Sequence, residues 1–268
     1  MNKYEKFKGK LYKFYKENYR HLPWRINDLF SDKKGNPYKI LVSEMMLQQT
    51  QVSRVKEKYK SFLKKFPTVT ALAEAPRGDV LKEWQGLGYN RRALYLKRTA
   101  ETVVEKYNRK FPKDYRALLS LSGIGQSTAG AIMAFSYNQP IVFIETNVRS
   151  VFIHEFFKDK ENITDKEIFP LIEKTLDRDH PRDFYYALMD YGVYLKQTEN
   201  HSRKSKHYTK QSKFKGSHRE ARAKVLKFLL EHPKTKSAKI ISQKLNLSEE
   251  KIIKCVAELK KEGFLNSI

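Results

Sequence analysis

The segment from Leu121 to Asn147 holds the residues best suited to chemistry, and it reads LSGIGQSTAGAIMAFSYNQPIVFIETN. Gly123 and Gly125 flank an isoleucine in a turn that precedes a helix-like run. Because glycine tolerates positive φ, the backbone N–H groups of such a turn can seat a phosphate. Glu145 follows about twenty residues later, so a carboxylate is expected near the phosphate seat.

A second acid, Glu44, lies among apolar residues on a helix-like segment that runs from Ser43 to Thr50. On its own, such a glutamate is either a helix-end or surface acid, or a buried acid kept for catalysis. Gln48 and Gln49 follow it, and their amides can donate and accept at once, which suits the reading of base edges.

A third cluster, from Gly86 to Arg92, reads GLGYNRR. Tyr89 after the glycine turn offers a stacking plane, and Arg91 and Arg92 behind it offer phosphate ligands. The same pattern also suits an ordinary helix-to-helix turn with a packed tyrosine.

The charge of the chain favours a polyanionic partner. Its 268 residues carry 54 Lys and Arg against 30 Asp and Glu, a formal net charge of +24. Nucleic acid is the expected partner, and a nonspecific basic surface or an anionic membrane surface are the alternatives. No apolar run approaches the ~20 residues of a membrane span. The charged N-terminus has no signal-peptide core. We therefore expect a cytoplasmic protein, nucleoid-associated in a bacterium or archaeon.

Cys255 is the only cysteine of the chain, which excludes an internal disulfide and any cluster held by four cysteines. The seven histidines form no HExxH or other metal-ligand spacing. We expect no cofactor and no metal site built from side chains.

Helical periodicity dominates residues 4–196, and short connections there carry proline and glycine. The best strand-like run, Ile141 to Ile144, is short and isolated. The pattern predicts one compact all-α domain of about ten helices, over residues 1–200.

Residues 201–216, HSRKSKHYTKQSKFKG, are polar and basic, with no acid to balance the cations. This segment is either a solvated linker or a strap that lies on phosphates. Lys204, Lys206 and Lys210 are its candidate phosphate ligands.

Residues 217–268 are predicted to form a small separate domain. Helices are expected over Arg219–Glu231, Ser237–Leu245 and Glu249–Glu262, with Ser248 as an N-cap. Gly263 should end the third helix and begin a wing strand. The order resembles a winged helix-turn-helix domain, which binds DNA or mediates protein contacts.

The motifs SEMMLQQTQV, GLGYNRRA, LSGIGQSTAGAI and IETNVR occur in one order and spacing. Together they resemble the helix-hairpin-helix DNA glycosylases, and within them the A/G-specific adenine glycosylase (MutY-type) branch. LPWR, PYK and FPTV upstream and between also fit that branch. The resemblance covers about residues 20–196 and implies an all-α fold of two helical subdomains.

The resemblance implies a role for each acid. Glu44 would be the general acid that protonates the adenine ring, and burial should raise its pKa. Glu145 would stabilise positive charge on the sugar, as paired carboxylates do in sugar hydrolysis. Asn147 would orient that carboxylate.

The resemblance also implies the DNA contacts. Gln48 would fill the gap left by the extruded adenine, and Gln49 would lie near the opposing base. The hairpin through Ile124 would bind backbone phosphate, and its carbonyls could hold an alkali cation. The full set of expected DNA-contacting residues is Arg25, Gln48, Gln49, Thr50, Tyr89, Arg91, Gly123, Ile124, Gly125, Ser127, Thr128, Lys204, Lys206 and Lys210. The expected partner is double-stranded DNA with a mismatch or lesion, bound by a monomer.

Ser127 separates two subclasses of this family. Relatives that also cut the strand, such as endonuclease III, place a Schiff-base lysine at this position. Because a hydroxyl cannot form a Schiff base, the resemblance implies a glycosylase without lyase activity.

The chain departs from the family pattern in three ways. The family usually has aspartate where Glu145 stands. The extra methylene of glutamate moves the carboxylate by roughly 1.5 Å, and a misplacement of about 1 Å can lower the reaction rate 10²-fold. Four cysteines expected after the segment Ala187–Gly192 are absent. We expect the short domain at 217–268 to stand in the place of the C-terminal domain with which the family recognises 8-oxoguanine.

The leading hypothesis is excision of adenine mispaired with guanine or 8-oxoguanine, which leaves an abasic site. One alternative is a glycosylase of the same fold that acts on mismatched thymine or uracil. Another is a non-catalytic DNA-binding regulator, although the presence of Glu44 and Asn147 favours an enzyme.

Overall fold

The computed structural model describes residues 1–26, 29–31 and 33–265. These residues confirm the all-α expectation, with one isolated bridge between Ile163 and Ser205 as the only β pairing among them. Eleven of the helices lie in the region where the sequence predicts about ten. The helices are α1 (Lys3–Glu17), α2 (Pro37–Leu47), α3 (Val52–Lys65), α4 (Val69–Glu74), α5 (Arg77–Trp84), α6 (Arg91–Lys106), α7 (Tyr115–Leu119), α8 (Gln126–Tyr137), α9 (Thr146–Phe156), α10 (Asp165–Thr175), α11 (Pro181–Thr198), a 3₁₀ helix (His201–Lys204), α12 (His218–Glu231), α13 (Ala238–Leu245) and α14 (Glu249–Lys261).

The chain divides into two compact units, and each is built from separated stretches of sequence. The first unit contains Met1–Glu44 and Phe111–Lys210. The second unit contains Met45–Lys110 and Gln211–Ile268, so the C-terminal helices belong with α3 to α6. The division of the sequence into consecutive domains at 1–200, 201–216 and 217–268 remains a prediction.

The strand-like run Ile141 to Ile144 is not part of a strand in the first unit. Its backbone bonds instead to one side chain: the hydroxyl of Tyr185 donates to Ile141 O at 2.8 Å and accepts from Phe143 N at 3.1 Å. Phe143 also packs against Gly130 of α8, where a Cβ would lie 2.4 Å from Cγ of the ring. The Tyr185 hydroxyl and the contact of Phe143 with Gly130 hold this segment in place, and apolar patterning cannot distinguish such a segment from a strand.

Helices α9 and α11 approach closely at a glycine. A Cβ on Gly192 would lie 2.6 Å from Cβ of Asn147 and 2.7 Å from its carbonyl oxygen. Real side chains do not tolerate such distances, so only glycine permits this packing. The approach fixes the N-terminus of α9, where Glu145 and Asn147 lie.

The three C-terminal helices confirm the bounds expected from sequence to within about one residue. Each begins after a serine whose hydroxyl accepts from the backbone in the first turn, at Ser217, Ser237 and Ser248. Cys255 is fully buried in their core, as expected for a small apolar side chain.

The expected wing strand does not begin at Gly263. Gly263 has a φ of +80° and its N–H donates to Lys260 O at 2.9 Å, while Phe264 N donates to Leu259 O at 2.9 Å. These two bonds form a Schellman motif, which folds the chain back onto the helix and buries Phe264 and Leu265. The remainder of the expected strand falls on residues 266–268, which lie outside the described residues.

Candidate active site

Glu44 lies on α2 in the first unit, and the residues beside it are buried. Its own side chain is partly buried. Burial raises the pKa of Glu44 to about 8, with repulsion from Glu145 adding to the rise and the charge of Arg25 opposing it. The carboxyl group therefore holds its proton near neutral pH, as the sequence led us to expect.

Arg25 lies in the protein interior, which corrects the expectation that it contacts DNA. Its two terminal nitrogens donate to the two carboxylate oxygens of Asp190, each at 2.8 Å. Only 1% of each side chain is exposed, and the guanidinium lies 4.4 Å from the ring centre of Tyr186. A bidentate buried pair of this kind would have to break before Arg25 could reach a phosphate. Arg25 instead places a fixed positive charge near Glu44.

Glu145 caps the N-terminus of α9. Its Oε1 accepts from the backbone N–H groups of Asn147 and Val148, both at 2.7 Å. Its Oε2 accepts from Nδ2 of Asn147 at 3.1 Å. The side chain thus caps two backbone N–H groups that have no partner within the helix. The amide of Asn147 orients Glu145, which is the geometry expected of it.

Lys196 completes this network, and sequence reasoning missed it. Its ammonium donates to Oδ1 of Asn147 at 2.9 Å, from the last turn of α11. Burial lowers the pKa of Lys196, and the charge of Glu145 opposes that shift. A chain of hydrogen bonds thus runs from the ammonium through Asn147 to the carboxylate. The only signal in the sequence is that Lys196 follows Gly192 by four residues, which puts both on one face of α11.

The Gly-Ile-Gly hairpin leaves the start of α8 open. Gly123 has a φ of +74°, and Gly125 is the N-cap residue without a side-chain cap. Both glycines are exposed, whereas Ile124 is 5% exposed and anchors the turn. A Cβ at Gly125 would meet no atom within 4 Å, so the N–H groups at the start of α8 can be reached by an anion.

The two hydroxyl residues after the hairpin differ in exposure. Ser127 is partly buried, while Thr128 is only 6% exposed. Thr128 was expected to contact DNA, and its side chain is buried.

In the second unit, two loops hold the residues expected to read DNA. We call residues 48–50 and 86–90 the reading loops. Gln49 has a φ of +55° and is exposed, and Tyr89 has a φ of +46° and is 39% exposed. Positive φ is uncommon outside glycine, so both loops need support to keep this shape.

Arg92 supplies that support, although the sequence offered it, with Arg91, as a phosphate ligand. Its Nη1 donates to Met45 O and Gln48 O at 2.6 Å each, and its Nη2 to Gly88 O at 2.8 Å. Nη2 also donates to the hydroxyl of Thr50 at 3.1 Å. The guanidinium therefore caps the C-terminal carbonyls of α2 and joins both reading loops. Burial lowers its pKa to about 10, which leaves it charged at neutral pH.

Arg91, which was expected to contact DNA, has an exposed side chain. Its guanidinium forms an ion pair with Glu262 at 2.9 Å, and 56% of its side chain is exposed. Arg222 pairs with the same carboxylate at 2.8 Å. Arg77 of α5 donates to Gly263 O at 2.9 Å. These contacts attach the C-terminal helices to α5 and α6.

The basic segment begins as packed structure rather than as a free linker. His201 is buried, and its Nε2 lies 3.0 Å from Nδ1 of His154. Lys204, expected on a phosphate, donates to Lys158 O at 2.8 Å. Lys206 and Lys210 are exposed and remain available to an anion.

An iron–sulfur cluster held by four thiolates does not fit this chain. Its single thiol, Cys255, is buried within α14, and the segment after α11 offers histidine and lysine instead. Across residues 1–26, 29–31 and 33–265, His, Cys, Asp and Glu form no group of three or more that could hold a metal ion. Within the same ranges no helix is both long and apolar enough to cross a bilayer.

Comparisons with known proteins agree with this geometry. An adenine DNA glycosylase of Buchnera aphidicola subsp. Baizongia pistaciae is 39% identical over 178 residues, which cover 65% of this chain and 48% of that protein. The human adenine DNA glycosylase is 33% identical over 194 residues, covering 70% of this chain and 35% of that protein. The chain thus spans about half the length, or less, of these curated relatives.

A solved structure of a thermostable thymine-DNA glycosylase superposes with a TM-score of 0.62 at 26% identity, covering 71% of this chain and 86% of the other. Residues 42–178 match the family described as HhH-GPD superfamily base excision DNA repair protein. Those residues include both acids, both reading loops and the hairpin, and the chain belongs to this superfamily.

Proposed function

We propose that this protein is a monofunctional DNA glycosylase that removes mispaired adenine from double-stranded DNA, opposite guanine or 8-oxoguanine. The observation that carries the proposal is the pair of acids Glu44 and Glu145, of which Glu44 has its pKa raised to about 8. Two carboxyl groups in different environments can serve as acid and as charge stabiliser in one reaction. The similarity to adenine DNA glycosylases supports adenine as the base.

In the proposed reaction Glu44 gives its proton to the adenine ring. The bond from C1′ to N9 then breaks, and its electron pair leaves with the adenine. Glu145 stabilises the positive charge that develops on the sugar, because Asn147 and the backbone at the start of α9 hold its carboxylate in place. Water adds to C1′ and loses a proton, which leaves an abasic site.

The proposed DNA grip combines a backbone contact with two reading residues. The open N-terminus of α8, at Gly125, would bind a phosphate, with an alkali cation on the hairpin carbonyls as a further stabilising group. Gln48 would take the place of the extruded adenine, and Gln49 would face the opposing base. The net charge of +24 predicts that affinity falls steeply with salt, since binding releases counterions. We propose that the protein acts as a monomer and without an iron–sulfur cluster.

Ser127 supports the absence of lyase activity. It lies in the first turn of α8, where relatives that cut the strand would carry a lysine. A serine hydroxyl cannot form the imine that β-elimination requires. The product should therefore be an intact strand with an abasic site.

A second candidate function is removal of mismatched thymine or uracil. The superposition on a thymine-DNA glycosylase favours it, and Glu145 is longer than the aspartate usual in the adenine branch. A non-catalytic regulator is the third candidate, and it would not need a glutamate that keeps its proton at neutral pH.

The deciding experiment is a panel of end-labelled duplexes, each with one adenine, thymine or uracil opposite each standard base or 8-oxoguanine. Each duplex is incubated with excess enzyme and then analysed with and without hot alkali. We expect cleavage after alkali only where adenine lies opposite guanine or 8-oxoguanine. Excision of thymine or uracil alone would support the second candidate, and no excision would support the regulator. Cleavage without alkali would overturn the monofunctional assignment.

A further inference from the structure

A residue of the basic segment contacts the residue proposed to face the opposing base. Nε2 of Gln211 donates to Oε1 of Gln49 at 3.0 Å, across 162 positions of sequence and within the second unit. Both side chains are exposed, so neither is held there by a surrounding core. The bond brings two amide groups side by side on the surface of the first reading loop.

The second reading loop is held by the same part of the chain. Nη1 of Arg219 donates to the hydroxyl of Tyr89 at 2.9 Å, and the guanidinium lies 6.0 Å from the centre of that ring. Nη2 of Arg219 donates to the backbone oxygen of Ser212 at 2.7 Å and to its hydroxyl at 3.0 Å. Arg219 therefore ties the segment that carries Gln211 to the loop that carries Tyr89. We call residues 211–219 the latch.

The latch is attached to helices that are themselves fastened to the rest of the second unit. Arg91 pairs with Glu262, and Arg77 donates to Gly263 O, so α14 is fastened to α5 and α6. Nε2 of His218, at the start of α12, lies 2.7 Å from Oε2 of Glu258 on α14. Arg92 holds the reading loops from the other side, through Gln48 O and Gly88 O. The positions of Gln211 and Gln49 are thus set from both directions.

The paired amides have the chemistry needed to discriminate between base edges. Because Oε1 of Gln49 accepts from Gln211, the amide nitrogen of Gln49 is directed away from that bond as a donor. Oε1 of Gln211 adds an acceptor beside it. Guanine presents two acceptors, O6 and N7, where cytosine presents a donor, so a fixed amide donor favours guanine.

We propose that Gln211 is a specificity-determining residue for the base opposite the excised one, and that the latch presents it. This inference rests on the proposed glycosylase function and assigns opposing-base preference to the C-terminal part of the chain. Without Gln211, the amide of Gln49 can rotate and offer either its oxygen or its nitrogen, and discrimination between guanine and cytosine is lost.

The test compares Gln211→Ala and Gln211→Glu with the wild-type protein. Adenine excision is measured under single-turnover conditions opposite guanine, 8-oxoguanine, cytosine and thymine, and the guanine-to-cytosine rate ratio is calculated for each protein. The matched control is Gln243→Ala, an exposed glutamine of α13 in the same unit. Thermal melting checks that each variant is folded.

We expect Gln211→Ala to reduce the guanine-to-cytosine ratio about 5- to 10-fold, the size of one base-directed hydrogen bond. Gln211→Glu keeps an acceptor but loses the donor to Gln49, so its ratio should also fall. Gln243→Ala should keep the wild-type ratio. An unchanged ratio in both folded Gln211 variants would overturn the inference and leave the proposed function intact.

If the wild-type protein excises no adenine, the proposed function fails by itself. The inference is then judged on affinity for duplexes with a tetrahydrofuran abasic analogue opposite each of the four bases. Loss of the ranking of these affinities in Gln211→Ala would support the role of the latch. The same ranking in both proteins would overturn it.

Discussion

The carboxylate site of the first unit and the reading loops of the second are built in opposite ways. Glu44 and Glu145 are partly buried, and side chains from the protein interior set their charge and orientation. Gln49 and Tyr89 are exposed and held through their backbone and through partners at the surface. The groups proposed for chemistry thus depend on burial, while the groups proposed for recognition depend on loop shape.

This difference separates two kinds of mutational effect. A change near the carboxylates should alter the rate of excision with little effect on DNA binding. A change under the reading loops should alter DNA binding more than the rate of the bound complex. The following predictions test that separation, from the largest expected effect to the smallest.

Glu44→Gln should remove the proton that the proposed reaction needs. We expect the single-turnover rate to fall about 10³-fold, the range for loss of a general acid, because an amide cannot give up a proton. DNA affinity, measured by fluorescence anisotropy, should stay within a factor of about two. Glu173→Gln, an exposed change of the same type on α10, is the control. Retained turnover in Glu44→Gln would remove this residue from its role.

Glu145→Asp should withdraw the carboxylate from the position that Asn147 fixes at 3.1 Å. We expect the single-turnover rate to fall about 10²-fold, since a displacement of about 1 Å can have that effect. Glu173→Asp serves as the control for side-chain shortening. A faster variant would mean that the longer side chain is not the one suited to the reaction.

Lys196→Met should free the amide of Asn147 to rotate, because it removes the donor 2.9 Å from Oδ1. We expect about a 10-fold loss in single-turnover rate with unchanged DNA affinity, an effect of orientation alone. Lys196→Arg keeps a charged donor and should recover most of the rate. Lys166→Met removes the same charge from an exposed site and should be silent. Equal losses in affinity and rate would point to a general structural defect.

The rate should also depend on pH through Glu44. Its pKa is raised to about 8, so the protonated form dominates below that pH and disappears above it. We expect the single-turnover rate to fall about tenfold for each pH unit above 8, because only the acid form can donate. A flat profile between pH 7 and 10, with the protein folded throughout, would contradict the assignment.

Arg92→Lys tests the other region. Lysine cannot replace the fork that joins Gln48 O to Gly88 O, since it carries one compact donor group. We expect DNA affinity to weaken about 5- to 10-fold, the effect of one lost hydrogen bond of about 1 kcal/mol. The excision rate of bound DNA should change less. Arg54→Lys, an exposed position on α3, is the control. A larger effect on rate than on affinity would break the distinction between the two regions.

Much of this fold and site follows from local patterns. Apolar periodicity located the helices, and serine caps with Gly263 located the bounds of the last three. Glu44, Glu145 and Asn147 stand in short motifs that resemble those of the glycosylase family, and that resemblance predicts their roles. The run from Ile141 to Ile144 has the apolar pattern of a strand, but its backbone bonds to the hydroxyl of Tyr185 on α11 and not to a partner strand.

The sequence by itself determined the helical class and the basic character, and it singled out the two acids that we propose for catalysis, because these depend on composition and on neighbours within a few residues. Only the tertiary structure decided that Arg25 is an interior counter-charge, that Lys196 orients Asn147, that Arg92 joins the reading loops, and that Gln211 lies beside Gln49. Each of these depends on contacts between distant stretches, where burial removes water and lets a single side chain fix a pKa, an amide or a loop. The spacing of residues within a short stretch of sequence does not predict such contacts.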